Sequence, residues 1–416
     1  MKQTLFLIVV VLLGTFTAAE PNISPESVGL SPNGLAQIKQ TFQGLVDEGK
    51  IAGALTLISR KGQIAHWETY GYMDLEAQVP MAKDAIFRIA SMTKAVTAVA
   101  VLQLMEQGHF QLDDPIEKYL SVFEKARVLD PNQEGANPNE PRTVPLDRSI
   151  TIRDLLRHTA GVQYGGPPYR QAGLHKWDGS LKEFVDTLGD LPLAFQPGAK
   201  FKYSYATDVL GHLVEVISGQ PLDAYFKDHI FAPLAMHDTG FVVPPDKVSR
   251  LTNHYAYQEG KIICKEQAAN SPFLKRAQAL SGGGGWSYSY PGLVTTPGDW
   301  WRFMEMLRNR GQLDDQALLK SKSVKLMCED HLGDIPGHFE QGTSHGLGVG
   351  VITETTRHGH LAGNGMIYWA GAPHNTYYFV DFEYEMCALL FIQNSPFNHL
   401  NLMNRFLVLA HKAIDD

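Results

Sequence analysis

Apolar residues recur with strand spacing near both ends of the chain and with helical spacing between these regions. Strand patterns occur in GALTLISRKGQIAHWETYGY, HGLGVGVI, NTYYFVDF and YEMCALLFIQN. Helical spacing occurs in SPNGLAQIKQTFQGLVDEG before the first strand, and again in the closing segment NHLNLMNRFLVLAHKAI. Because short turns join antiparallel strands, the pattern predicts an α/β (α+β) fold with an antiparallel sheet drawn from both ends of the chain. The terminal helices are expected to cover this sheet.

The middle of the chain is helical and rich in loops. The run SMTKAVTAVAVLQLMEQG is apolar on most faces and ends at Gly108, which predicts a buried helix of about four turns. The segment SGGGGWSYSYPG is interpreted as a flexible loop. We expect one domain over 20–416, with a sheet lobe from about 20–90 and 280–416 and a helical lobe from about 91–279. The cleft between such lobes is a favoured place for a ligand.

The first residues, MKQTLFLIVVVLLGTFTAAE, have the features of an export signal. Lys2 provides the positive start, residues 5–13 are apolar, and small residues 17–19 suit cleavage. The apolar run is shorter than the ~20 residues of a membrane span, although a single membrane anchor is the alternative. We predict a signal peptide over 1–19 and an exported, periplasmic or secreted protein without stable membrane insertion after cleavage.

Composition narrows the classes of function. The 416 residues are 44% hydrophobic and 19% charged, with a net charge of −8 and no dense run of Lys and Arg, which argues against a nucleic-acid partner. Cys264, Cys328 and Cys387 show no C-x-x-C spacing, so no metal knuckle or redox pair is indicated. Cys387 fits a buried strand. A disulfide between two of the three cysteines remains an open alternative.

Ser91 and Lys94 are three residues apart at the head of the apolar helix, so they share one face. A serine hydroxyl is a weak nucleophile until a base accepts its proton, and a lysine can be that base where burial disfavours an ammonium ion. Backbone N–H groups at a helix start can also stabilise negative charge. The pattern is short enough to arise by chance, and Ser91 could simply cap the helix. A lysine present by chance would more often lie on a solvated face than among Ala95, Val96 and Val99, but the motif alone leaves both interpretations open.

The chain resembles a known superfamily at this point. FRIASMTKAVTAVAVLQLMEQG is followed in order by LDDPIEKYL, ITIRDLLRHTAGV, FQPGAKFKYSYATDVLGHLVEVISG and IFAPLAMHDTGF. This series is similar to the serine β-lactamases and penicillin-binding proteins across nearly the whole chain after residue 20. The resemblance implies that substrate acylates Ser91 and that Lys94 assists it.

The superfamily's second motif is a Tyr-x-Asn or Ser-x-Asn triplet, and its counterpart here is Tyr203-Ser204-Tyr205. The resemblance implies that Tyr203 transfers the proton between Ser91 and the leaving group. A buried tyrosine with a satisfied hydroxyl is the alternative. Tyr205 departs from the family, because its side chain lacks the paired amide donor and acceptor of asparagine.

The third motif is Lys-Thr-Gly, for which the best match is Trp369-Ala370-Gly371. The resemblance implies that the backbone N–H of the following Ala372 forms an oxyanion hole with that of Ser91. The family lysine, which holds a substrate carboxylate, is replaced by an apolar tryptophan wall. These motifs are most similar to β-lactamase-fold carboxylesterases of the family VIII type.

The implied function is hydrolysis of esters with small, mostly uncharged acyl groups, and the implied partner is a small-molecule ester or lactam. Alternatives are a β-lactamase or D-Ala-D-Ala carboxypeptidase, an acyltransferase, and a binding protein that has lost catalysis. No cofactor or metal is expected, because H-E-x-x-H is absent and His358-Gly359-His360 is interpreted as a solvated loop. An α/β-hydrolase needs G-x-S-x-G on a strand-turn-helix. The match in this sequence, Gly342-Thr343-Ser344-His345-Gly346, instead leads into the strand pattern HGLGVGVI, which disfavours that fold. His158 is interpreted as structural, and the oligomeric state is left open.

Overall fold

The structure is a computed structural model that describes residues 23–132, 141–285, 291–337, 342–354 and 361–415. The predicted signal peptide and the pair His358 and His360 lie outside the described residues. Of the helices that are described, none combines the length and the apolar character needed to cross a membrane.

The α-helices of the described residues are numbered in chain order. They are α1 (Pro32–Asp47), α2 (Thr93–Glu106), α3 (Ile152–Leu156), α4 (Pro167–Gln171), α5 (Leu181–Gly189), α6 (Ala206–Ser218), α7 (Leu222–Phe226), α8 (Pro297–Arg308), α9 (Ser321–Cys328) and α10 (Leu402–Lys412).

The strands are numbered in the same way, and several are short pairs outside the main sheet. They are β1 (Gly53–Arg60), β2 (Gln63–Asp74), β3 (Val79–Pro80), β4 (Phe87–Arg88), β5 (Arg127–Leu129), β6 (Thr143–Pro145), β7 (His254–Gln258), β8 (Lys261–Glu266), β9 (Val294–Thr295), β10 (Gln312–Leu313), β11 (Gln316–Ala317), β12 (Thr343–His345), β13 (Gly350–Ile352), β14 (Ile367–Gly371), β15 (Thr376–Asp381), β16 (Met386–Ile392) and β17 (Asn394–Ser395).

The main sheet has the strand order β12-β13-β14-β15-β16-β1-β2-β3, with antiparallel pairing throughout. The first long strand, β1, pairs with β2 on one side and with β16 on the other, where Ala54 lies opposite Ile392. The predicted antiparallel sheet from both ends of the chain is therefore confirmed.

Helices cover both faces of this sheet because its strands alternate apolar side chains between the two sides. On one face, α1 and α10 bury residues such as Ile38, Phe42 and Phe406 against Ala54 and Ile58. On the other face, α2, α6 and α8 enclose the larger core, in which α8 packs against β15 and β16. The sheet is thus sandwiched between the two terminal helices and a mostly helical layer.

The helix that follows the S-x-x-K motif lies inside this larger core. Ala90–Met92 form a short 3₁₀ turn, and α2 continues from it for 14 residues, with every side chain from Thr93 to Leu104 buried. A helix that is apolar on all sides is stable only when it is surrounded by protein. This agrees with the helix expected from the sequence.

The cysteines also follow the sequence prediction. Cys387 lies in β16, where every residue is buried. All three cysteines are free thiols in the structure. In the structure, no disulfide joins any two of these three cysteines.

Candidate active site

Ser91 lies in the 3₁₀ turn that leads into α2, where the backbone is held in a tight conformation. Ala90, directly before it, has a φ of 41°, in the left-handed region that non-glycine residues rarely adopt. The end of β14 lies against this turn, since a Cβ on Gly371 would collide with the carbonyl of Ile89. Ser91 itself is partly exposed. Strained backbone of this kind is often found at functional sites.

Lys94 is fully buried one helical turn after Ser91. Its Nζ lies 3.4 Å from Ser91 Oγ and also donates a hydrogen bond to the carbonyl oxygen of Gly283. The same Nζ lies over the ring of Tyr203, 4.5 Å from the centroid, and 5.8 Å from the ring centroid of Tyr164. The amine is therefore held next to the serine hydroxyl by one carbonyl and by aromatic faces.

Tyr203 precedes α6 and meets Trp369 of β14. The indole N–H of Trp369 donates to the Tyr203 hydroxyl at 3.4 Å, and the two ring centroids are 5.4 Å apart. The structure therefore brings Ser91, Lys94, Tyr203 and Trp369 together from three separate parts of the chain.

The remaining residues of the Trp369 segment divide between the two faces of the sheet. Trp369 packs in the core on the α2 side, whereas Ala370 packs against the core beneath α1 and α10. Successive strand residues point to opposite faces, so the side chain of Ala370 lies away from Ser91. Gly371 ends the strand opposite Thr376, and Ala372 follows at the turn.

Tyr205 is placed differently from the other predicted site residues. Only 2% of it is exposed, and its ring packs 4.5 Å from that of Tyr164 and 5.2 Å from that of Phe184. Burial raises the pKa of its phenol well above the ordinary value. Tyr205 therefore supports the rings next to Lys94 from within the core, and it offers a substrate almost no surface.

Two buried histidines lie behind Tyr203. The ring of His158 is 4.8 Å from that of Tyr203 and 5.3 Å from that of His345, which in turn is 5.1 Å from Trp369. Burial lowers the pKa of His345 to about 3 and that of His158 well below its usual value. His158 Nδ1 lies 3.3 Å from Ser204 Oγ. His158 and His345 therefore pack as neutral rings behind Tyr203 and Trp369.

Two further residues lie at the site, and no motif in the sequence identifies them. Gly283 provides the carbonyl that accepts from Lys94, and Asp208 of α6 accepts from the Gly283 N–H at 3.1 Å. An aspartate flanked by apolar residues in ATDVLGHLV was the available signal, because a carboxylate on a buried helix face must have partners.

Among the described residues, no group of three or more His, Cys, Asp or Glu side chains is arranged to hold a metal ion. The side-chain groups that meet at the site described above are a hydroxyl, an amine, a phenol and an indole.

The chain is similar to known proteins over most of its length. Residues 38–412 match the β-lactamase family. An uncharacterized protein of Mycobacterium tuberculosis is 33% identical over 370 residues, which cover 86% of this chain and 89% of that protein. Esterase EstB of Burkholderia gladioli is 35% identical over 231 residues, covering 53% of this chain and 55% of the esterase.

A solved structure is similar over almost the same range. EstCE1, described as a hydrolase with promiscuous acyltransferase activity, superposes with a TM-score of 0.74 at 26% identity, covering 92% of this chain and 99% of that one. The chain belongs to the β-lactamase family. It is a hydrolase of the β-lactamase fold, related to esterases and acyltransferases.

Proposed function

We propose that this protein is a serine carboxylesterase that acts through an acyl-enzyme on Ser91. The observation that supports this most directly is the position of Lys94, whose buried Nζ lies 3.4 Å from Ser91 Oγ. A buried amine so close to a hydroxyl is costly to keep unless it serves chemistry.

The proposed reaction starts with transfer of the Ser91 hydroxyl proton to the pair formed by Lys94 and Tyr203. The serine oxygen attacks the ester carbonyl carbon, and the carbonyl oxygen becomes negatively charged. The backbone N–H groups of Ser91 and Ala372 are proposed to bind this oxyanion. The ester C–O bond then breaks, the alkoxide takes the proton from the same pair, and an acyl group remains on Ser91.

Water then removes the acyl group from Ser91, and the same residues transfer the proton. The pair of Lys94 and Tyr203 accepts a proton from water, the resulting hydroxide attacks the acyl carbonyl, and Ser91 leaves as it regains a proton. Acyl transfer to an alcohol would use the same step with a different nucleophile. The description of EstCE1 as a hydrolase with acyltransferase activity supports this second candidate.

The proposed substrates are esters with small, mostly uncharged acyl groups. Trp369 occupies the position of the lysine that, in the family resemblance, holds a substrate carboxylate, and its uncharged indole cannot pair with a carboxylate. The similarity to esterase EstB supports an ester over a lactam or peptide.

The test is hydrolysis of p-nitrophenyl butyrate by wild type and by Ser91→Ala, with a chromogenic cephalosporin assayed in parallel. Turnover by wild type and not by Ser91→Ala is the expected result. Faster turnover of the cephalosporin than of the ester would favour the β-lactamase alternative. Equal turnover by both proteins would exclude Ser91 as the nucleophile.

A further inference from the structure

The glycine-rich segment 281–285 is hydrogen-bonded to the same face of α2 that carries the proposed catalytic lysine. Lys94 Nζ donates to the carbonyl oxygen of Gly283, and the hydroxyl of Thr97 donates to the carbonyl oxygen of Gly282 at 2.7 Å. These two donors lie one turn apart, so successive peptide units of the segment are held by one helix.

On its other side, the same segment is held by the carboxylate of Asp208. Asp208 Oδ1 accepts a hydrogen bond from the Ser281 hydroxyl at 2.6 Å and another from the Gly283 N–H at 3.1 Å. Ser281 Oγ in turn accepts from the Gly285 N–H at 2.6 Å. Asp208 is 1% exposed. A carboxylate buried this deeply is stable only with such donors around it.

The described part of this segment is closely packed, which differs from the flexible loop that the sequence suggested. A Cβ on Gly283 would lie 2.5 Å from Asp208 Oδ2, and a Cβ on Gly284 would lie 2.6 Å from the backbone nitrogen of Ser91. Gly284 also has a φ of 95°. These glycines are needed because Asp208 and the turn at Ser91 leave no space for side chains.

We propose that Asp208 is a positioning residue for Lys94 and acts through Gly283. By fixing the segment, Asp208 fixes the carbonyl oxygen to which Lys94 donates. With that bond made, the amine is restrained next to Ser91 instead of turning away along its four-carbon side chain. This inference rests on the proposed function, because it concerns the lysine that activates Ser91.

The first variant is Asp208→Ala, which removes the acceptor of both hydrogen bonds. Its matched control is Asp299→Ala, because buried Asp299 Oδ2 also accepts one backbone N–H, from Asp238 at 2.7 Å, and one hydroxyl, from Thr239 at 2.9 Å. Both variants lose the same kinds of bond, so a purely structural role predicts the same outcome for both.

We expect Asp208→Ala to lower kcat for p-nitrophenyl butyrate about 100-fold, since a small misplacement of a catalytic group has an effect of this size. KM should stay within about twofold, because Asp208 does not contact substrate. Asp208→Ala and Asp299→Ala should lower Tm by similar amounts, but Asp299→Ala should leave kcat nearly unchanged. Equal losses of kcat in the two variants would overturn the proposal.

A second variant keeps the test decisive if Asp208→Ala does not fold. Ser281→Ala removes the hydroxyl that joins Asp208 to the segment and leaves the carboxylate in place. We expect it to lower kcat about tenfold, and Asp208→Asn, which retains an acceptor oxygen, to keep most of the activity. Wild-type kcat in Ser281→Ala would contradict the proposal.

A fluorophosphonate probe separates this inference from the proposed ester substrate, because labelling of Ser91 requires no ester. Asp208→Ala should label about 100-fold more slowly than wild type and Asp299→Ala at the wild-type rate. Rapid labelling of a wild-type protein that hydrolyses no ester would refute the esterase and leave the role of Asp208 supported by this difference in rate. A wild-type protein that is not labelled would refute both.

Discussion

The indole N–H of Trp369 points to the hydroxyl oxygen of Tyr203 across 3.4 Å, so a residue of the sheet contacts a residue of the helical layer inside the site. In the proposed reaction, the Tyr203 oxygen is most negative before it takes up the serine proton and again after it has passed that proton to the leaving group. A donor at this position stabilises that charge.

We expect Trp369→Phe to lower kcat about tenfold, because it removes the donor to Tyr203 and keeps an aromatic ring. KM should change little. Separate values of kcat and KM for p-nitrophenyl butyrate hydrolysis check both expectations. Trp177→Phe is the matched control, because the Trp177 indole also donates a hydrogen bond, to the carbonyl of Ser180 at 3.0 Å. If the two variants have the same kcat, the contact with Tyr203 has no catalytic role.

Lys94→Ala is expected to reduce the rate of Ser91 acylation about a thousandfold or more, since it removes the proposed base. The protein should remain folded, because the change also removes a buried amine that is costly to desolvate. Fluorophosphonate labelling and Tm measured on the same sample test both points. A folded Lys94→Ala protein that labels at the wild-type rate would exclude the proposed mechanism.

Asp154 makes the stability of the protein depend on pH on the acid side. Burial favours the neutral carboxyl, but hydrogen bonds from Arg148, Thr151 and Thr159 outweigh it and lower the pKa of Asp154 to about 2. An unfolded carboxyl has an ordinary pKa near 4, so this contribution of about 2 kcal/mol is complete above pH 4 and is lost as the pH falls towards 2.

Asp154→Asn should therefore lower the free energy of unfolding by about 2 kcal/mol at pH 7 and flatten its decline between about pH 4 and pH 2. Urea unfolding at a series of pH values measures both effects. Asp315→Asn, at an exposed position, is the control and should follow the wild-type curve. The same pH slope in Asp154→Asn and wild type would show that the carboxylate does not contribute.

His345 makes folding stability depend on pH in a higher pH range than Asp154 does. Its folded pKa of about 3 lies below the ordinary value near 6.5, chiefly because the ring is buried and also because Lys94 is near. Between these two values the unfolded chain binds a proton that the folded protein does not, so folding stability falls as the pH is lowered through this range.

His345→Phe should reduce this fall in stability between about pH 6.5 and pH 3, while its ring keeps the contact with Trp369. Free energies of unfolding in urea at pH 7.5, 6 and 5 provide the comparison. His109→Phe, which replaces an exposed histidine, is the control. A His345→Phe protein with the wild-type slope would mean that this imidazole is charged when folded.

The sequence predicted those parts of the fold that depend on local periodicity. Alternating apolar residues in β1 and β16 indicate strands without knowledge of their partners, and the apolar run after Ser91 indicates a buried helix. Lys94 could be assigned to the site because a lysine is unusual in such a run. These inferences need only a few neighbouring residues in the chain.

Other features depend on contacts between distant segments, and the sequence pattern does not specify those. Tyr205 follows Tyr203 by two residues, yet one ring is buried in the core and the other lies beside Lys94. The Gly283 segment was interpreted as flexible because four glycines allow many conformations. Only the positions of Asp208 and Ser91 show that these glycines are required for close packing.

The pairing of Ala54 with Ile392 also affects how the molecule can form. The partner of β1 on one side is the neighbouring strand β2, but its partner on the other side is synthesised near the end of the chain. While the ribosome is still making the middle of the protein, the open edge of β1 has no native strand to bind. We therefore expect the sheet to close late, after most of the chain has been synthesised, and the proposed site at the end of β14 to be completed only then.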